Sequence, residues 1–157
     1  MLKAMHYCHR VVGVVHKDIK PDNIVIGHSR EAILIDFGLA ALYDPNATDE
    51  EKNKNLKIKA GTYKYFAPEL LKVSDDESQK EYTFGPATDI FALGLTFYQL
   101  TTGRYPFEGA ASFYDLSNMI LTKEIDFSFI KDVSARECIK GMLDKNPDTR
   151  ATVDDLL

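Results

Sequence analysis

The stretch His16-Lys17-Asp18-Ile19-Lys20-Pro21-Asp22-Asn23 decides how this chain is read. Asp18 and Asn23 are five residues apart, so one turn can aim both side chains at a common point, with Lys20 between them. A carboxylate there can accept a hydroxyl proton, and an amide oxygen can ligate a hard cation such as Mg²⁺. A lysine can neutralise charge on a transferring phosphoryl group. The combination is a phosphoryl-transfer constellation, although by itself it is equally a polar loop.

Working outward, Leu2–Val12 places Leu2, Met5, Cys8 or His9, and Val12 on one helical face. His6 and His9 are read as helix-face residues rather than ligands. This helix has no N-cap and begins in mid-pattern, so it is expected to start earlier in a longer parent chain. Downstream, the apolar runs Ile24–Ile26 and Ala32–Ile35 flank the turn-rich Gly27-His28-Ser29-Arg30, a small β-hairpin. Asp36-Phe37-Gly38 follows directly and puts a carboxylate at a strand end, where a metal can be held, with Gly38 freeing the backbone to turn. Alone, this triplet is no more than an acidic turn.

The charged, apolar-poor segment Tyr43–Lys59 and the polar Ser74–Glu81 read as surface loops. Thr88–Leu100 is apolar on nearly every side, the mark of a buried central helix, set at about residues 88–101. Capping boxes at Ser112/Asp115 and Ser134/Glu137 announce two further helices, and Thr152/Asp155 a third near the end. No internal repeat is present. The expected fold is mainly α with one small hairpin.

Bulk properties narrow the function classes. The 157 residues suffice for one domain, and 45% hydrophobic with 27% charged is an ordinary globular balance. A net charge of −5 argues against nucleic acid or an anionic membrane as the main partner. Cys8 and Cys138 are far apart with no metal-ligand spacing, so reduced thiols in a cytoplasmic or nuclear setting are expected. Residues 1–8 do not resemble a signal peptide, and Ile90–Gly103, the longest uncharged stretch, is too short to span a bilayer. A soluble protein is expected.

Taken in order, the motifs resemble the eukaryotic protein kinase family, serine/threonine type. His16-Lys17-Asp18 with Asn23 is similar to its catalytic loop, Asp36-Phe37-Gly38 to its metal-binding motif, and Ala67-Pro68-Glu69 to the end of its activation segment. Asp89 with Gly94, and Arg150, extend the resemblance across residues 1–157. The resemblance implies a kinase-like C-terminal lobe that uses ATP and Mg²⁺ on protein Ser/Thr hydroxyls. It implies Asp18 as catalytic base, Lys20 on the transferring phosphate, and Asn23 and Asp36 on the metal ions. Val25 would lie against adenine; as a β-branched strand residue it is equally a plain core valine. His16 and Phe37 would stack in a column linking two lobes, Glu69 would pair with Arg150, and Asp89 would hydrogen-bond the catalytic-loop backbone. Lys20 and Gly61-Thr62 resemble Ser/Thr rather than Tyr kinases, with Thr62 bridging Asp18 and Lys20. Tyr63 and Tyr65 are read as packing groups rather than phosphorylation sites.

Departures from the family pattern carry their own expectations. Lys17 replaces the usual arginine, and lysine cannot reproduce a bidentate grip on a loop phosphate. Ile58-Lys59-Ala60 stands where a phosphorylated threonine is common; between Gly38 and Gly61 the hydroxyls are Tyr43 and Thr48. The loop is therefore expected to be set by fixed charge, with Asp49-Glu50-Glu51 opposite Lys17. Asp22 alone, with Gln99 in place of a second acid, makes only a weak case for basic substrates. Met142–Pro147 and Gly103–Phe107 loosely resemble the calcium/calmodulin-dependent kinase kinase branch, with any calmodulin-binding segment outside this chain. Residues 1–157 contain no Gly-rich phosphate loop and no strand lysine with its glutamate partner. The chain is thus expected to be a C-terminal lobe only, an incomplete kinase domain. Its alternative is a non-catalytic, pseudokinase-like binding module.

Overall fold

In a computed structural model the described residues are 1–44, 56, 60–71 and 83–157. The N-terminal helical pattern forms helix α1, Leu2–His6, which continues as a π-helical stretch over Tyr7–Val12. Met5, Cys8 and His9 face inward as the periodicity predicts, but Val12 is exposed. The wider π turn rotates that last position away from the core.

Strand β2, Ile24–Ile26, pairs antiparallel with β3, Ala32–Leu34, with Val25 opposite Ile33. Here the hairpin stands where the sequence puts it. A second two-stranded sheet was not foreseen. It joins β1, Val14–Val15, to β4, Ala41–Leu42, on either side of the hairpin. Strands of two residues are too short to show alternation, so only the fold reveals their pairing.

Helix α2, Pro86–Thr102, is the centre of the molecule. Pro86 occupies its first turn, where a missing N–H costs nothing, and the Thr88 hydroxyl accepts the Gly85 N–H at 3.1 Å. Ile90, Phe91, Leu93 and Leu95 are at most 1% exposed, so a helix without a polar face is buried as expected; Leu100, near its end, reaches solvent. Helix α3, Phe113–Thr122, starts at Ser112, whose hydroxyl accepts the Asp115 N–H at 3.0 Å.

Helix α4, Val133–Met142, corrects the second capping assignment, Ser134/Glu137. Its N-cap is Asp132, accepting the Ala135 N–H at 2.7 Å, and Ser134 lies inside the first turn. An aspartate caps as well as a serine, and starting two residues earlier lengthens the helix. Thr152 and Asp155 do bond one another, with the Thr152 N–H to Asp155 Oδ2 at 2.8 Å, but residues 153–156 form turns rather than the expected third helix. Among the described residues no helix is long and apolar enough to cross a membrane.

Packing of α4 on α2 is controlled by Gly94. A Cβ there would come within 2.8 Å of Met142 Cβ and 2.9 Å of Leu143 Cδ2, so only glycine lets the helices approach this closely. Gly94→Val should therefore overpack the interface and cost about 1–3 kcal/mol, read as a lower midpoint in thermal unfolding followed by circular dichroism. An unchanged midpoint would contradict this packing.

Candidate active site

The loop that carries Asp18 is hung from α2. Asp89, on the first turn of that helix and 1% exposed, accepts the His16 N–H at 2.7 Å and the Lys17 N–H at 2.9 Å. It also takes His9 Nε2 at 3.0 Å, a contact the sequence does not announce. Lys17 sits at φ 72°, the left-handed region that non-glycine residues rarely adopt. That turn delivers Asp18 to the surface of the site.

His16 fixes the back of the loop. Its Nδ1 accepts the Asp18 N–H at 3.3 Å, which leaves Nε2–H to donate to the Ile35 carbonyl at 3.0 Å. Its ring meets Phe37 edge-on at 4.7 Å between centroids. Ile35 in turn donates its N–H to the Asn23 carbonyl at 2.9 Å. This one backbone unit, with no polar side chain to signal it, seats Asp36 beside the Asp18–Asn23 turn.

Asp18 is the hub. Its Oδ1 accepts the Thr62 hydroxyl at 2.7 Å and the Thr62 N–H at 2.9 Å; its Oδ2 accepts Lys20 Nζ at 2.8 Å and Asn23 Nδ2 at 3.1 Å. Lys20 Nζ also donates to the Thr62 hydroxyl at 2.8 Å, closing a triangle. Thr62 gets this close because of Gly61. A Cβ at Gly61 would meet the Lys17 carbonyl at 2.4 Å, and its φ of 103° is glycine territory.

Burial pushes the Asp18 carboxyl up. The Lys20 ammonium, the Thr62 hydroxyl and the Asn23 amide more than reverse this and hold it below the ordinary carboxylate range.

Asn23 spends its amide N–H groups on Asp18 O at 2.8 Å and on Oδ2, which leaves its carbonyl oxygen for another ligand. Asp36 is exposed, at φ 61°, and one carboxylate oxygen accepts the Gly38 N–H at 3.2 Å. Two hard oxygen donors fit Mg²⁺, which keeps most of its shell for water and phosphate. Among the described residues no group of three or more His, Cys, Asp or Glu side chains is placed to hold a metal ion.

The remaining predicted residues fall as follows. Arg150 grips Glu69 with two bonds of 2.7 and 2.9 Å, and donates to the Ala87 and Asp144 carbonyls at 2.8 Å each. Val25 is 39% exposed, so the core-valine alternative fails, and Ile33 opposite it is equally open. Tyr65 is buried, donating to Gln99 Oε1 at 2.8 Å; Tyr63 is half-exposed against Phe66 and Phe113. Lys17 Nζ lies 4.7 Å from the centre of the Phe84 ring. Burial pushes its ammonium down, and Asp89 works against that shift. The proposed partners Asp49–Glu51, and Thr48, lie outside the described residues.

The Asp18 hub carries a pH signature. Its carboxyl is depressed in the fold, so its contribution is full above the unfolded value near 3.8 and disappears as pH falls through the lower folded value. Asp18→Asn should be less stable than the parent at pH 7, with a gap that narrows below about pH 4. Urea unfolding across pH 2–7 measures it, and a constant gap would refute the assignment.

The protein kinase domain family matches residues 1–157. The chain is 34% identical over 157 residues to sperm motility kinase 2B of Mus musculus, covering all of this chain and 29% of that protein. It is 33% identical over its whole length to serine/threonine-protein kinase ppk34 of Schizosaccharomyces pombe, spanning 40% of it. To NUAK family SNF1-like kinase 1 of Homo sapiens it is 34% identical over 160 residues, 99% of this chain and 21% of that protein. The chain thus spans less than half the length of these relatives. With the family matched from end to end, the chain belongs to the protein kinase domain family.

Proposed function

We propose that this chain carries the phosphoryl-transfer half of a protein serine/threonine kinase, moving the γ-phosphoryl group of ATP to Ser or Thr hydroxyls of protein substrates. The observation that carries this reading is the closed triangle of Asp18, Thr62 and Lys20, with Asn23 on the same carboxylate. Asp18 orients the acceptor hydroxyl and receives its proton. With its carboxyl held below the ordinary range it is a weak base, so alignment is its larger contribution.

Lys20 has three N–H donors, two of them engaged by Asp18 and Thr62, and the third is available to the transferring phosphate. Asn23 and Asp36 would hold Mg²⁺, which when bound supplies charge neutralisation on the phosphates. The open face around Val25 and Ile33 would lie against adenine.

Two exposed cross-strand residues with Ile35 and Phe37 beside them also favour a second reading, a non-catalytic module that docks a partner on this apolar face. Free Cys8 and Cys138 fit a cytoplasmic or nuclear setting. The calcium/calmodulin-dependent kinase kinase branch rests on Met142–Pro147, Gly103–Phe107 and the absence of a threonine just before Gly61.

Transfer of ³²P from Mg²⁺-ATP to a Ser/Thr peptide mixture tests the first reading. Asp18→Asn should lower the rate by about 10²-fold or more. No transfer by the parent together with retained partner binding would favour the second. Regulation by fixed charge adds that phosphatase treatment should leave the rate within about twofold, because Lys17 is a poor phosphate clamp. A collapse of the rate would sink that part.

A further inference from the structure

Between α4 and the segment that follows α3, the surface folds into an open cleft of about 520 Å³ that shares no residue with the Asp18 hub. That volume lies in the range of clefts that hold a small ligand or a few residues of peptide. One wall carries Glu124, Ile125 and Phe127. The other is α4, with Glu137, Lys140 and Gly141, and Leu143 just beyond its end.

Both walls are tied in place. Lys145, which also lines the cleft, donates to the Lys123 carbonyl at 2.7 Å and to the Leu121 carbonyl at 3.4 Å. The Tyr98 hydroxyl of the central helix donates to the Asp126 carbonyl at 2.8 Å. On the other side the Ala151 N–H meets the Gly141 carbonyl at 3.1 Å, and a Cβ at Gly141 would stand 3.3 Å from that of Ala151. Neither wall has to be ordered when a ligand arrives, which removes one cost of binding.

The lining selects the ligand. Ile125 and Phe127 are half-buried and Leu143 is buried, so part of it is apolar. Glu124 and Glu137, one on each wall, are exposed. Among the described residues the Glu124 carboxylate has no ion-pair or hydrogen-bond partner, and Glu137 has a loose approach of 3.9 Å to Arg136 Nε. Asp144 adds a third negative charge, with its oxygens already met by the Asn146 N–H at 2.9 Å and the Thr149 hydroxyl at 2.7 Å. Lys145 is committed to its two carbonyls, which leaves Lys140 against the two glutamates. A guanidinium suits such a lining: its fork matches a carboxylate, its flat face stacks on an aromatic ring, and its stem covers apolar surface.

We propose that this cleft is a docking site for an arginine-bearing, partly apolar segment of a partner protein. The guanidinium would lie between Glu124 and Glu137, and a neighbouring apolar side chain against Ile125, Phe127 and Leu143. The inference uses none of the hub residues and stands whether or not the chain transfers phosphate.

Fluorescein-labelled hexapeptides that alternate leucine with arginine, glutamine or glutamate test it by anisotropy against the 157-residue chain. The arginine peptide should bind about tenfold more tightly than either of the others. Glu124→Gln/Glu137→Gln should lower its affinity about tenfold. Glu31→Gln/Asp154→Asn, which removes the same charge outside the cleft, should leave it within about twofold. All four acids are exposed, so both variants should keep the circular dichroism of the parent. Should the cleft variant fail to fold, Glu124→Gln alone takes its place with a loss of about threefold. In ¹⁵N spectra the peptide should shift amides at residues 124–127 and 137–145 and leave Val25 and Ile33 in place. Equal affinity for the arginine and glutamine peptides, a preference for the glutamate peptide, or an equal loss in both double variants would each overturn the proposal. Shifts confined to Val25 and Ile33, or no binding at about 1 mM peptide, would overturn it as well.

Discussion

Everything near the candidate site depends on a single buried carboxylate. Asp89 lies in a helix whose neighbours Ile90, Phe91 and Leu93 are fully apolar and at most 1% exposed. A charge there costs several kcal/mol unless its lone pairs are met. Water is excluded, so the donors come from the chain: two backbone N–H groups of the catalytic loop and the ring of His9. The demand works in both directions. Holding Lys17 in a left-handed turn is unfavourable by about 1–2 kcal/mol for an L-residue, and the bond to Asp89 offsets it. The central helix thus dictates the conformation of a loop 72 residues earlier.

A second buried charge fixes the other side. The Arg150 side chain is fully buried and meets Glu69 through a bidentate fork, with Phe91 lying 5.0 Å beneath the guanidinium. Losing one partner of such a pair typically costs about 3–5 kcal/mol, because the other charge stays buried. Arg150 also bonds the Ala87 carbonyl, two residues before Asp89. The first turn of α2 therefore anchors both the catalytic loop and the segment Gly61–Leu70. That segment is held at each end, by Thr62 on Asp18 and by Glu69 on Arg150.

This arrangement explains which features the sequence exposes. Side chains that the family resemblance pairs are legible: Thr62 meets Asp18 and Lys20, Glu69 meets Arg150, and Asp89 meets the loop backbone. The central helix is legible from its lack of a polar face, and the hairpin from its turn residues. What stays hidden is work done by backbone or by residues whose type is ambiguous. Ile35 joins His16 to Asn23 through its N–H and carbonyl, and any residue type could do so. His9 sits on a helix face like any core histidine, and its partner is 80 positions away. The start of α4 is ambiguous in the sequence because Asp132 and Ser134 are both good caps two residues apart, and local sequence does not rank them. The pair β1 and β4 has too few residues for periodicity to register.

Under the proposed phosphotransfer, the hub would also limit how a substrate can enter. Asp18 already accepts four hydrogen bonds, about as many as a carboxylate has lone-pair sites. An acceptor hydroxyl must share or displace one of them. The Thr62 N–H is fixed by Gly61, whose backbone is pressed against the Lys17 carbonyl, and Asn23 is tied to the Asp18 carbonyl as well as to its side chain. Lys20 is the freer donor, since its stem is flexible and its side chain is 22% exposed. A hydroxyl arriving with a phosphate behind it would draw Lys20 partly off Asp18, and the carboxylate would lose the donor that most depresses it. Its affinity for a proton would then rise as the phosphate arrives, when the reaction needs a base. On the phosphotransfer reading proposed above, the contacts that depress Asp18 at rest would loosen only with both reactants present.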